Sequence, residues 1–197
     1  MFAKAVNLIM TDLRAFIALS DPEGPDAPDY VISGNIAMAD APDLTPPINQ
    51  RVVVSVVNIA EEAAFKNAAH YERIGAETRY RNAPVFLNLY VLFSANYENY
   101  DTALRRLSQV ITFFQGKNTF TLKNSPVPEF SDDATELRLI LELFALTFEQ
   151  VNYLWASLGG KQMPFVLYKL RLVRIQADRT QATSPVIEEI VADKSAV

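Results

Sequence analysis

Residues 88–115, NLYVLFSANYENYDTALRRLSQVITFFQ, change their hydrophobic period halfway along. In the first half Leu89, Tyr90, Val91, Leu92 and Phe93 are apolar at consecutive positions. Side chains in a strand alternate between two faces, so this run predicts a strand covered on both sides. In the second half Tyr100, Ala103, Leu104, Leu107, Val110, Ile111 and Phe114 recur at steps of three and four, which predicts a helix over 99–115. Arg105, Arg106 and Gln109 fall outside that stripe, and Gly116 is placed to stop the helix. The helix must pack back on the sheet that holds its own strand. Leu104, Leu107, Ile111 and Phe114 are therefore expected against that sheet.

Upstream, RVVVSVVNI (51–59) carries valine on both faces and predicts a second central strand beside the one at 84–94. Residues 2–19 read as a helix, with Phe2, Val6, Ile9, Met10, Leu13, Phe16 and Ile17 in one stripe. The proline-rich stretches 20–29 and 40–50 break regular structure around a short strand within 30–38. Residues 60–82 are polar and are expected as a loop or edge excursion. Downstream, LRLILELFAL (137–146) alternates and predicts a strand with one strongly apolar face. Thr147 and Gln150 have capping-box spacing at the head of a helix over 148–158, whose stripe is Val151, Leu154, Trp155 and Leu158; Gly159 and Gly160 end it. Residues 164–176 are the last long strand, with Val166, Tyr168, Leu170 and Leu172 on one face and Lys169 and Arg171 on the other. The fold class is α+β: a single mixed sheet of about four main strands with helices packed on it. The expected division is one domain over 1–177 and a flexible C-terminal arm over 178–197. In that arm Val186, Ile187, Ile190 and Val191 form a two-turn apolar stripe, which fits either a frayed tail or a segment that orders on a neighbour.

The chain has 197 residues, enough for a sizeable core, and half of them are hydrophobic. A net charge of −5 argues against broad nucleic-acid binding, which needs clustered cations against phosphate. With no cysteine, disulfides, thiolate metal sites and cysteine nucleophiles are excluded, and the composition fits a cytoplasmic product. Asp12 and Arg14 interrupt the apolar N-terminal stretch, so no signal peptide is expected, and no run is long enough to insert in a membrane.

Chemistry is sparse. The one histidine, His70, has no partner in the sequence that would make it a base. There is no nucleophile elbow and no phosphate loop. The acidic stretch Asp21, Glu23, Asp26, Asp29 lacks calcium-loop spacing and reads as solvated. Asp132 and Asp133 read as turn residues, and Glu61 and Glu62 as solvated or interface charges at a strand end. Arg105, Arg106, Lys169 and Arg171 fit either an anion site or separate interface charges. Phe113, Phe114, Trp155 and Tyr168 have core spacing. No catalytic, cofactor-binding or metal-binding residue is expected.

Four segments carry a resemblance: GNIAMAD (34–40), VVVSVVNIAEEAAFKN (52–67), RYRNAPVFLNLYVLFSANYENYDTALRRLSQVITFFQ (79–115) and LTFEQVNYLWASLGGKQMPFVLYKLRLV (146–173). In this order they resemble the tail-terminator or cap family of contractile injection systems, phage-tail-like particles. Family members often carry Glu where Ala60 stands, and longer members have a C-terminal extension that this chain lacks. The resemblance implies a structural role without enzymatic activity or cofactors. Six copies would form a ring that closes the baseplate-distal end of the inner tube and anchors the last sheath layer. The implied partners are further copies of the chain, the inner tube protein and the contractile sheath protein, with neither nucleic acid nor membrane insertion. The implied location is the cytoplasm during assembly, then the particle. Arg105, Arg106, Lys169, Arg171, Val186, Ile187, Ile190 and Val191 are the candidate interface residues. An adaptor or assembly factor of the same particle, or a small-molecule-binding or enzymatic α+β domain, is the alternative.

Overall fold

A computed structural model describes residues 2–21, 29–41, 45–62, 71–74, 77–81, 85–121, 124–125, 138–175 and 180–185. Three helices, α1 (Phe2–Ser20), α2 (Tyr100–Gly116) and α3 (Phe148–Ser157), accompany nine strands. The strands are β1 (Val31–Ser33), β2 (Arg51–Glu61), β3 (Tyr71–Ile74), β4 (Glu77–Arg81), β5 (Val85–Asn96), β6 (Thr119–Thr121), β7 (Arg138–Leu143), β8 (Phe165–Ile175) and β9 (Thr180–Pro185).

The main sheet has the order β1-β2-β5-β8-β7-β6. β1 runs parallel to β2, and every other pair is antiparallel. The four expected strands are thus its centre, with six strands in all rather than four. The other two are three-residue edge strands: β1 is the short strand expected within 30–38, and β6 is too short for a periodic signal. A second sheet, β3-β4-β9, lies partly in the stretch expected to be irregular. Its strands are polar, so apolar periodicity could not reveal them. β9 also falls within the segment expected to be an arm from residue 178.

Both faces of the sheet are covered, as the consecutive apolar run in β5 requires. On the first face Val52, Val54, Leu89, Val91, Phe93, Val166, Tyr168 and Leu170 meet α1 and α2. On the second, Val53, Leu92 and Leu167 meet Trp155 of α3 and Ile36 of a short 3-10 turn, Ile36–Met38. The sheet pleat therefore separates the aromatic residues: Phe113, Phe114 and Tyr168 belong to one core and Trp155 to the other.

α2 is rotated from the expected orientation. Leu107 and Phe114 are buried, but Leu104 and Ile111 are 44% and 43% exposed. The buried arc is Ala103, Arg106, Leu107, Val110, Phe113 and Phe114, centred nearer Arg106 than the apolar stripe implied. Gly116 is the last helical residue, and the helix ends on an extended Lys117 whose N–H donates to the Phe113 carbonyl.

α3 begins as its sequence predicts. Thr147 Oγ1 accepts from the Gln150 N–H at 3.3 Å, and the Gln150 side chain accepts from the Thr147 N–H at 3.0 Å. Gly159 and Gly160 end it with φ of 100° and 80°, values a β-carbon disfavours. Thr147→Ala is expected to cost about 1 kcal/mol in denaturant unfolding, the usual loss for an N-cap hydroxyl. A loss below about 0.3 kcal/mol would show that tertiary packing alone sets the start of α3.

Candidate interface and charge clusters

The candidate basic residues divide into two clusters on opposite faces of the sheet, so they do not make a single anion site. The first joins α2 to the end of α1. Asp21 is the residue just past α1, and its Oδ2 accepts from Arg106 at 2.9 Å and from Arg105 at 3.1 Å. Arg106 is 0% exposed, although the sequence placed it outside the apolar stripe. It also donates to Gln109 Oε1 at 2.9 Å and lies 5.0 Å from the Tyr30 ring centre. The Tyr30 hydroxyl donates to the Asp21 carbonyl, which closes the loop around the guanidinium. A buried cation requires such partners. Arg105 stays half-exposed and is the member of this pair open to a partner.

The second cluster lies on the other face, along β8. Arg171 donates to Glu142 Oε1 of β7 at 3.0 Å and to Glu62 Oε2 at 3.4 Å. The same Glu62 oxygen accepts from Asn88 Nδ2 of β5 at 3.0 Å. The hydrogen bond and charge of Glu142 raise the Arg171 pKa above the ordinary arginine value; burial opposes this, and Glu62 adds to it. Glu62 is thus a bonded strand-end residue rather than a solvated one. Lys169, partly buried, stands opposite Glu142 and Tyr90 in the strand register. Val186, Ile187, Ile190, Val191, His70, Asp132 and Asp133 lie outside the described residues.

A third cluster went unread in the sequence. Lys117 Nζ donates to Asp12 Oδ2 at 2.7 Å, to the Asn124 carbonyl at 2.7 Å and to Ser125 Oγ at 3.0 Å. The Ser125 hydroxyl donates in turn to Asp12. A serine beside a lysine is a nucleophile–base pairing in outline. Here the serine is buried and the ammonium holds a carboxylate, so the group ties the turn after β6 to α1. Among the described residues no group of three or more His, Cys, Asp or Glu side chains could hold a metal ion, and no helix is long and apolar enough to cross a membrane.

Several large apolar side chains face outward. Tyr100, Leu104 and Ile111 lie along one flank of α2, and Leu143, Phe148 and Tyr153 lie on or near α3. Phe148, the first residue after the Thr147 cap, is 96% exposed.

Comparison with known proteins places this arrangement. No curated protein matches the sequence significantly. Among solved structures, the sheath/tube terminator of the extracellular contractile injection system PVC, in its extended state, matches with a TM-score of 0.62 at 11% identity. The match covers 98% of this chain and 63% of that one. The tube-terminating cap of the anti-feeding prophage matches with a TM-score of 0.63 at 14% identity, over 98% of this chain and 61% of the cap. The chain thus spans somewhat under two thirds of the length of these two structures, and the likeness is one of fold. The family model described as the Pvc16 N-terminal domain matches residues 8–189, nearly the whole sequence. The chain belongs to the Pvc16 N-terminal domain family.

Proposed function

We propose that this chain is a structural tail terminator of a contractile injection system, closing the baseplate-distal end of the inner tube as a six-fold ring and anchoring the last sheath layer. The observation that carries this reading is the likeness to two terminators over 98% of the chain, within a single family match. The fold suits the role. A sheet covered on both faces is a stiff wedge, and a closed ring needs wedges that meet head to tail through two different surfaces. Outward apolar side chains lie over opposite faces of the sheet, Tyr100, Leu104 and Ile111 on α2 and Phe148 and Tyr153 on α3, as such a contact requires. Arg105 and Lys169 supply accessible charge for the polar rim of these contacts. The partners are further copies of the chain, the tube protein and the sheath protein, met in the cytoplasm during assembly. No catalytic step is required.

The C-terminal segment has its part in this reading. β9 ends at Pro185, opposite Glu77 of β4, so the apolar stripe Val186, Ile187, Ile190, Val191 follows directly from the second sheet. Four apolar residues over two turns do not sustain a helix alone, and burial on a neighbour would offset the cost of ordering them. Deleting 186–197 should leave the melting temperature within about 2 °C, since the paired strands end at Pro185. Particles carrying the truncation should show frayed sheaths or tubes of uneven length by negative-stain microscopy. Normal particles would make this segment a passive tail. Normal particles formed without the whole protein would overturn the terminator reading.

A further inference from the structure

Among the described residues the main sheet ends in β1 on one side and β6 on the other. An edge strand presents backbone N–H and C=O groups that a strand from another chain can complete. On β6 the Asn118 carbonyl accepts from the Leu141 N–H, and Phe120 stands opposite Leu139. By the alternation of an antiparallel ladder, the backbone groups of Thr119 and Thr121 point away from β7. Asn124 meets them there. Its Nδ2 donates to the Thr119 carbonyl at 2.9 Å, and its Oδ1 accepts from the Thr121 N–H at 2.8 Å. One side-chain amide thus takes the two bonds that a residue of an added strand would make. The Thr121 carbonyl is engaged as well, accepting from the N–H groups of Asn124 and Ser125 at 3.2 and 3.1 Å.

This plug is held by the cluster of Lys117, Asp12 and Ser125. Lys117 Nζ donates to the Asn124 carbonyl, and the Ser125 hydroxyl donates to Asp12 of α1. The opposite edge is closed from the same helix. The Val52 N–H donates to the Tyr30 carbonyl and the Gly34 N–H to the Val54 carbonyl, so Val31 of β1 turns its backbone groups outward. The Val31 carbonyl accepts from Arg14 Nε at 2.6 Å. Asp12 and Arg14 are two positions apart on α1. In a flat sheet of six strands spaced by about 4.8 Å, the edges would stand about 24 Å apart, beyond the reach of two side chains from one helical turn. The sheet therefore curls, and α1 reaches both edges.

We propose that α1 locks both edges of the main sheet against strand addition, Arg14 capping β1 and Asp12 holding Asn124 as a plug on β6, and that the occupant shut out of β6 is the same edge of a second copy. Two β6 strands meeting antiparallel about a two-fold axis at Phe120 would join the Thr119 carbonyl of each copy to the Thr121 N–H of the other, the groups that Asn124 holds. The lock belongs to the single chain and does not rest on the terminator reading.

The test uses the full chain in sedimentation equilibrium. Asn124→Ala, or Asn124→Ser should the former fail to fold, is expected to raise the mean mass about twofold over that of the unsubstituted chain, as pairing of like edges about a two-fold axis requires. Adding Thr121→Pro should restore the original mass. Proline removes the outward N–H that the second copy needs and leaves the bonds between β6 and β7 in place. Thr147→Ala, which weakens the fold far from either edge, should leave the mass unchanged. An unchanged mass on loss of the Asn124 amide would overturn the proposal. So would association that persists with Thr121→Pro, or that Thr147→Ala produces equally, since either would arise from lost stability or another surface.

Discussion

Phe114→Ala is expected to remove about 3–5 kcal/mol of stability, the range for deleting a buried aromatic side chain. Phe114 sits at the meeting point of α2 and the main sheet. Its ring centre lies 4.9 Å from Tyr168 on β8, 5.2 Å from Phe93 on β5 and 5.1 Å from Phe113 beside it. Phe120 of β6 closes the group at 6.2 Å. Truncation would strip contacts from three strands at once, and rings fixed by separate elements cannot collapse into the space. Denaturant unfolding measures the loss, which corresponds to a fall of about 10 °C in melting temperature for a chain of this size. A loss below about 1 kcal/mol would mean that α2 is not packed through this residue.

The second large effect is an asymmetry between two substitutions in one ion cluster. Asp21→Ala should cost about 3–5 kcal/mol, because it removes a carboxylate that ion-pairs at 2.9 Å with a fully buried guanidinium. Arg106→Met should cost much less, within about 1.5 kcal/mol, since methionine keeps much of the apolar volume and leaves Asp21 with Arg105 and partial exposure. Equal losses would show that packing of the arginine stem, rather than its charge, holds α2 to the end of α1. The double variant separates these terms, because the penalty of Asp21→Ala should largely vanish once the buried charge is gone.

The strand-then-helix at 88–115 was legible because one chemical signal dominated each half. Consecutive apolar residues can only mean two covered faces, and steps of three and four can only line one side of a helix. The rotation of α2 was not legible for a related reason. Periodicity counts apolar side chains, and Leu104 and Ile111 outvoted Arg106. What buries Arg106 is Asp21, far away in the sequence, and the Tyr30 ring, neither visible in a local window. The hairpin of β3 and β4 was hidden because its residues are mostly polar, and β6 because three residues cannot show a period. The candidate site fared unevenly. Arg171 and Lys169 were read correctly as the charged side of β8, but the carboxylates that engage Arg171 come from β7 and from just past β2. Of the two readings open for the four basic residues, a single anion site does not fit, because the sheet pleat and the helices put them on opposite sides.

The central pairing has a consequence for how the protein is made. β5, apolar on both faces, has β2 as one neighbour and β8 as the other, where Val91 stands opposite Tyr168. β2 leaves the ribosome before β5, but β8 emerges well after it, and so does Trp155, which covers Leu92. At synthesis rates of about 5–20 residues per second, β5 would wait several seconds with one ladder edge and much of one face open. An exposed, uncharged strand of that kind is a template for pairing with other chains. Yield in cells should therefore depend on chaperone supply and growth temperature more steeply than the stability of the finished fold would suggest.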